Sequence, residues 1–176
     1  MKELSLHILD VAKNSVKANA KNVLISITEE NDWRTLIIKD DGCGMTPDFV
    51  AKVTDPFTTT RTTRRVGLGL PLLKLAAEQA EGTLEITSSV GEEDHGTTVT
   101  ATFRISHLDT VPVGDMGGTI STLVQGSPDI DFEFVWKTEE FEKELSTKEM
   151  REVLGEEIPL NTPEVLLWIN EVISAP

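Results

Sequence analysis

The stretch Arg34-Thr35-Leu36-Ile37-Ile38-Lys39-Asp40-Asp41-Gly42-Cys43-Gly44-Met45 passes within a few residues from aliphatic chain to two carboxylates and two glycines. Its first seven residues read as a β-strand. A carboxylate at a strand end, followed at once by glycines, lets a flat ligand approach the backbone while the carboxylate accepts a hydrogen bond from an amino group. The other reading of Asp41-Gly42 is a hairpin turn, since Asp-Gly is a favoured hairpin dipeptide. Upstream, Asn22–Thr28 is a second strand-like run, and the short polar connection Glu29–Asp32 predicts an antiparallel hairpin. Before it, Leu4, Ile8, Leu9, Val11, Ala12 and Val16 recur at helical spacing, with His7, Asp10, Asn14 and Lys17 on a separate polar stripe. Asp10 and Asn14 stand one helical turn apart and can converge on one small object. An Asn carboxamide oxygen suits Mg²⁺, and a nearby carboxylate can take a proton. The same four residues also read as the solvated stripe of a surface helix.

Downstream, residues 41–66 are rich in Gly, Pro, Thr and Asp, which predicts mostly loop with one short helix near Pro47–Val53. Gly67-Leu68-Gly69-Leu70 then opens an amphipathic helix from Leu70 to Ala80, with Pro71 in its first turn. Glycines at a helix start let backbone N–H groups and the positive end of the helix dipole face an anion such as a polyphosphate. Arg61, Arg64 and Arg65 lie just upstream and either assist that role or form a solvated charge run. Thr83–Ser88 and Thr97–Ile105 read as two more strands. Beyond a linker at 107–118, short helices and the strand-like runs 131–137 and 141–145 follow. Ser146 and Glu149 are spaced as a capping box, and Thr162-Pro163 opens a last helix.

The chain has 176 residues and a formal net charge of -14. Residues 1–104 carry 12 basic and 15 acidic side chains, whereas residues 105–176 carry 4 and 15. The acidity disfavours nucleic acid and anionic membrane as partners and, where the second part binds at all, favours a basic protein surface. Cys43 is alone, which excludes an intrachain disulfide. With no signal-peptide pattern and no 18-residue apolar run, the expectation is a cytoplasmic protein without a membrane span.

In order and spacing, residues 1–104 resemble the ATP-binding domain of the GHKL superfamily, which includes DNA gyrase, the large ATP-dependent heat-shock chaperone, sensor histidine kinases and mismatch-repair MutL. Asp10-Val11-Ala12-Lys13-Asn14-Ser15 matches the N-box, and Asp40, Gly42 and Gly44 match the first glycine box. Asp55-Pro56-Phe57-Thr58-Thr59-Thr60-Arg61 is similar to a sensor-kinase motif, with Arg in place of Lys. Gly67-Leu68-Gly69-Leu70 matches the second glycine box and Gly96-Thr97-Thr98-Val99 the last motif. The resemblance implies an α/β two-layer sandwich, a mixed and mostly antiparallel sheet with helices on one face, over residues 1–105. A small acidic α/β appendage at 106–176 lies outside the resemblance.

Carried over position by position, the resemblance implies that Asn14 coordinates Mg²⁺, Asp40 accepts the adenine amino hydrogen and Thr97 supports Asp40 directly or through water. Gly42, Gly44 and Met45, then Arg61, Arg65, Gly67, Leu68, Gly69 and Leu70, would surround ATP. Asp10 takes the catalytic place that hydrolysing members give to a glutamate; its shorter side chain fits phosphoryl transfer to a hydroxyl better than hydrolysis. Sensor kinases carry their phosphoacceptor histidine on a separate helical hairpin, and none precedes residue 4, so His7, His95 and His107 are not expected to be phosphoacceptors. The implied function is Mg-ATP binding by a stand-alone serine/threonine kinase or regulator of the anti-sigma-factor type, acting on a partner protein and compatible with a homodimer. A nucleotide-gated binding module or weak ATPase is the alternative.

Overall fold

The computed structural model describes residues 2–54 and 68–176. Helix α1 spans Leu4–Lys17, the hairpin strands β1 and β2 span Asn22–Glu30 and Trp33–Asp40, and α2 spans Pro47–Val53. Helix α3 spans Gly69–Gln79, followed by β3, Leu84–Val90, and β4, His95–Arg104. Helix α4 spans Met116–Gly126, strands β5 and β6 span Asp131–Lys137 and Glu142–Ser146, and helices α5 and α6 span Thr147–Leu154 and Pro163–Ser174.

The six strands form one mixed sheet in the order β3-β4-β2-β1-β5-β6, antiparallel except for the β1–β5 pair. Alternation sends Val23, Ile25 and Ile27, Leu36 and Ile38, Val99, Ala101 and Phe103, and Phe132 and Phe134 to one buried face. On the other face no strand residue is buried among the described residues, and Thr28, Thr35, Thr98, Thr100 and Thr102 are half-exposed there. This is the one-sided sandwich implied by the sequence. The hairpin turn is tighter than the four polar residues suggest. Asn31 and Asp32 alone form it, both at positive φ (53° and 68°), which matches a two-residue turn whose twist suits the flanking strands.

Residue 106 is not marked by a break in the sheet or core. Strand β5 pairs in parallel with β1, setting Phe132 beside Val23 and Phe134 beside Ile25. The unpaired N–H groups at the start of α1 are satisfied by the same C-terminal segment: Leu4 N–H donates to Pro112 O at 2.8 Å and Ser5 N–H to Val113 O at 2.9 Å. Helix α4 packs on both α1 and α6. In α5 the N-cap half of the capping box forms, with Glu149 N–H donating to Ser146 Oγ at 3.3 Å.

If the sheet is one cooperative unit, Phe134→Ala, at a site 1 % exposed, should lower global stability by about 3–5 kcal/mol. Urea unfolding should still give coincident transitions by far-UV circular dichroism and tryptophan fluorescence. Two separated transitions would show instead that residues beyond 106 unfold independently.

Candidate functional site

A cavity of about 260 Å³ opens between α1, α2, α3 and the C-terminal end of β2, with Asn14, Asp40, Gly44, Met45, Leu70 and Thr97 on its wall. Six of the residues singled out in the sequence therefore meet on one concavity. Val11, Ile38, Phe49, Val53 and Val99 make its apolar side. Arg61, Arg65 and Gly67 lie outside the described residues. Leu68 is the exposed N-cap residue of α3.

Asp40 is oriented from two sides. Ser15 Oγ donates to Oδ2 at 2.6 Å, and the Gly42 backbone N–H donates to Oδ1 at 2.9 Å. Each oxygen keeps a lone pair for a further donor from the cavity. Thr97, expected to support Asp40 directly or through water, is its β4 register partner and makes no direct hydrogen bond to it: its Oγ1 lies 2.8 Å from Ser88 Oγ. Ser88 Oγ also accepts from the Met45 N–H at 2.7 Å and contacts Gly96 O at 3.0 Å, tying the glycine loop to β3 and β4. Ser15 and Ser88 are thus positioning residues not singled out in the sequence. A signal existed for both, because each continues an apolar period: Leu4, Ile8, Val11 and Ser15 along α1, and Leu84, Ile86 and Ser88 along β3.

The glycines answer to space. A Cβ on Gly42 would come within 2.7 Å of Ala18 Cβ, and Gly44, at φ +78°, would place one 1.8 Å from Ser89 O. Asp41, the neighbouring carboxylate, is structural. It accepts from the N–H groups of Lys21 and Asn22 and from Asn22 Nδ2, all within 2.9 Å. Partial burial pushes its pKa up, but these hydrogen bonds outweigh it and hold the carboxyl below its ordinary value.

One turn along α1 from Asn14, Asp10 forms an ion pair through Oδ2 with Lys2. The first residue of α3 abuts this stripe: a Cβ on Gly69 would lie 3.6 Å from Asp10 Cβ and 3.7 Å from Asn14 Nδ2. Glycine here leaves a side-chain-free space between a helix N-terminus and the Asn14 carboxamide, where the chemistry favours an anion. Among the described residues no cluster of three or more His, Cys, Asp or Glu could hold a metal. The donor set instead fits Mg²⁺ held by one carboxamide oxygen, phosphate oxygens and water, the mode this ion commonly adopts.

His7 departs from the polar stripe assigned to it. It is 4 % exposed, and its buried Nδ1 has no hydrogen-bond partner among the described residues. Helix α1 is covered by the sheet and also by α3 and α4, so more than one stripe of it is enclosed. Burial, and then the Lys2 charge, push the imidazole pKa down to about 4, against an opposing pull from Asp10. The folded protein therefore keeps His7 neutral where the unfolded chain would take up a proton. Stability that is fully present above about pH 6.5 should fall as pH drops toward 4. In His7→Gln this part of the loss should vanish in urea titrations at pH 7.5, 6 and 5; equal slopes in both proteins would exclude His7 as its source.

Residues 2–107 match the model of the histidine kinase-, DNA gyrase B- and HSP90-like ATPases. A protein of Bacillus subtilis (strain 168) named as a probable C4-dicarboxylate sensor kinase is 32 % identical over 78 residues, which are 44 % of this chain and 15 % of that one. An NtrY-like sensor histidine kinase of Rickettsia felis is 26 % identical over 117 residues, covering 66 % of this chain and 19 % of that one. The chain thus aligns with less than a fifth of the length of either relative. The crystal structure of the N-terminal domain of a DNA repair protein has a TM-score of 0.57 at 16 % identity, covering 83 % of this chain and 52 % of that one. That coverage exceeds what residues 2–107 supply, so the likeness of fold extends into the C-terminal segment. With the model matched over more than half its length, and with Asn14, Asp40 and the glycine loop gathered on one cavity, this chain belongs to the histidine kinase-, DNA gyrase B- and HSP90-like ATPase family.

Proposed function

We propose that the chain binds Mg-ATP in this cavity and transfers phosphate to a serine or threonine of a partner protein, as a stand-alone kinase or regulator of the anti-sigma-factor type. The observation that carries the reading is the doubly oriented Asp40 carboxylate, presented to a cavity whose phosphate end holds Asn14 and the N-terminus of α3. Bound Mg-ATP supplies an electrophilic γ-phosphorus and a neutralising charge; positioning is left to the protein. Asp40 would accept the exocyclic amino group, with Ile38 and Val99, which line the same cavity, covering the base. Asn14 would give its carboxamide oxygen to the metal, and the α3 N–H groups would face the phosphates. Asp10 Oδ1 takes the proton of the attacking hydroxyl as the new oxygen–phosphorus bond forms and the bond to the ADP oxygen breaks.

The Lys2–Asp10 pair favours a second reading in the same site. The Lys2 ammonium occupies Oδ2 of the carboxylate that transfer would use, and a chain that binds ATP without transferring phosphate would act as a nucleotide-gated binding module. The two readings differ in label transfer from ATP to candidate partner proteins, which the first requires and the second excludes.

Both require nucleotide binding. At 100 times the dissociation constant, Mg-ATP should stabilise the fold by about 2.7 kcal/mol and raise the unfolding midpoint by about 5–10 °C. Asp40→Asn should remove this shift, and Asn14→Ala should remove its dependence on Mg²⁺. Ser15→Ala, which takes one donor from Asp40, should weaken ATP about tenfold with the fold retained. No midpoint shift in the unaltered protein would end the nucleotide reading. Where transfer is seen, Asp10→Asn should lower it by about 10²-fold or more while leaving ATP binding in place.

A further inference from the structure

A groove of about 570 Å³ lies between α5, α6 and the edge strand β6, outside the nucleotide cavity and beyond the residues matched by the family model. Its floor is apolar, made by Leu145, Met150, Leu154 and Val165. Two large apolar side chains stand in its walls although the fold does not cover them: Val153 is 86 % exposed and Trp168 is 49 % exposed. Helix α6 already buries Val165, Ile169 and Ile173, so Trp168 is additional to the stripe that holds it to the protein. Three exposed carboxylates, Glu144, Glu149 and Glu164, also line the groove, and no basic side chain does among the described residues.

We infer that this groove is a docking site for an amphipathic helix of a partner protein, one whose apolar stripe is flanked by Lys and Arg. An exposed Trp beside apolar neighbours in a concavity is the usual anchor of such contacts, and a helix laid in a groove reads it through residues at i, i+3, i+4 and i+7. The three carboxylates decide the sign of the flanking charge. They add to a segment with 15 acidic and 4 basic residues, so a second copy of this chain, at -14, meets repulsion, as do nucleic acid and an anionic membrane. The groove gives the partner that either functional reading needs a place to bind. Binding is measured without nucleotide, so its failure is distinguishable from failure of the ATP reading.

The probe is a 16-residue peptide with Leu at i, i+3, i+4, i+7 and i+8 and Lys elsewhere, titrated into the full chain and followed by anisotropy and by the Trp168 indole N–H resonance. Two comparison peptides replace Lys by Glu or scramble the order. The indole resonance should move only with the first peptide. Trp168→Ala should weaken binding about 30-fold. Val153→Lys should weaken it at least about tenfold, and Glu149→Lys with Glu164→Lys should reduce the salt dependence. All of these residues are exposed, so the variants should keep the far-UV spectrum and unfolding midpoint of the parent. The inference fails if the scrambled or Glu peptide binds equally well or if Trp168→Ala and Val153→Lys bind normally. It also fails if sedimentation shows a dimer that Trp168→Ala dissolves, because a second copy is then the occupant.

Discussion

The antiparallel register of β2 with its two neighbours is the constraint on which the site depends. It sets Asp40 opposite Val23 on β1 and opposite Thr97 on β4. Side chains alternate along a strand, so Asp40 shares a face with Ile38 and Leu36, which are 1 % and 0 % exposed. Slipping β2 by one residue would turn all three to the open face and bring Lys39 inward, a change that the loss of the core forbids. The burial that forms the sheet therefore also aims the carboxylate into the cavity. The Asn31-Asp32 turn holds that register from one end, and the Ser15 and Gly42 bonds hold the carboxylate at the other.

The charge distribution can be understood through the same sheet. A net charge of -14 is unfavourable for a phosphate ligand only where that charge is near. Asp40 ends β2 opposite Thr97 near the start of β4, whereas Glu142 and Glu144 lie on β6, three strands from β2. At about 4.8 Å between strands that is roughly 15 Å, beyond the Debye length of about 10 Å at 0.1 M salt. An acidic edge strand and the α3 start proposed to face phosphate can therefore coexist in one fold with little mutual interference.

Much of this was legible in local patterns. Helix α1, the first hairpin and α3 follow from period and turn chemistry, and Ser146 caps α5 where it was read to do so. Asn14, Asp40 and the glycine loop were readable because each falls in a short motif of the family the sequence resembles; taken singly, each also fitted a solvated stripe or a turn. Ser15, Ser88 and His7 were harder. Each is polar at a position whose burial depends on which other elements cover it, and α1 is enclosed on more sides than its own periodicity reveals. The linkage of residues beyond 106 to the rest was also hidden, because parallel pairing of β5 with β1 joins segments about a hundred residues apart and leaves no local signature.

By itself, the sequence determined which residues could bear the chemistry and which segments become helix or strand, since those follow from side-chain type and short-range period. The tertiary structure decided which of them meet. It gave Asp40 direct hydrogen bonds from Ser15 and Gly42, enclosed His7, and added the acidic segment to the same sheet. The physical reason is that burial and strand pairing are shared among distant parts of the chain, and their free energy is settled only when all the partners are in place.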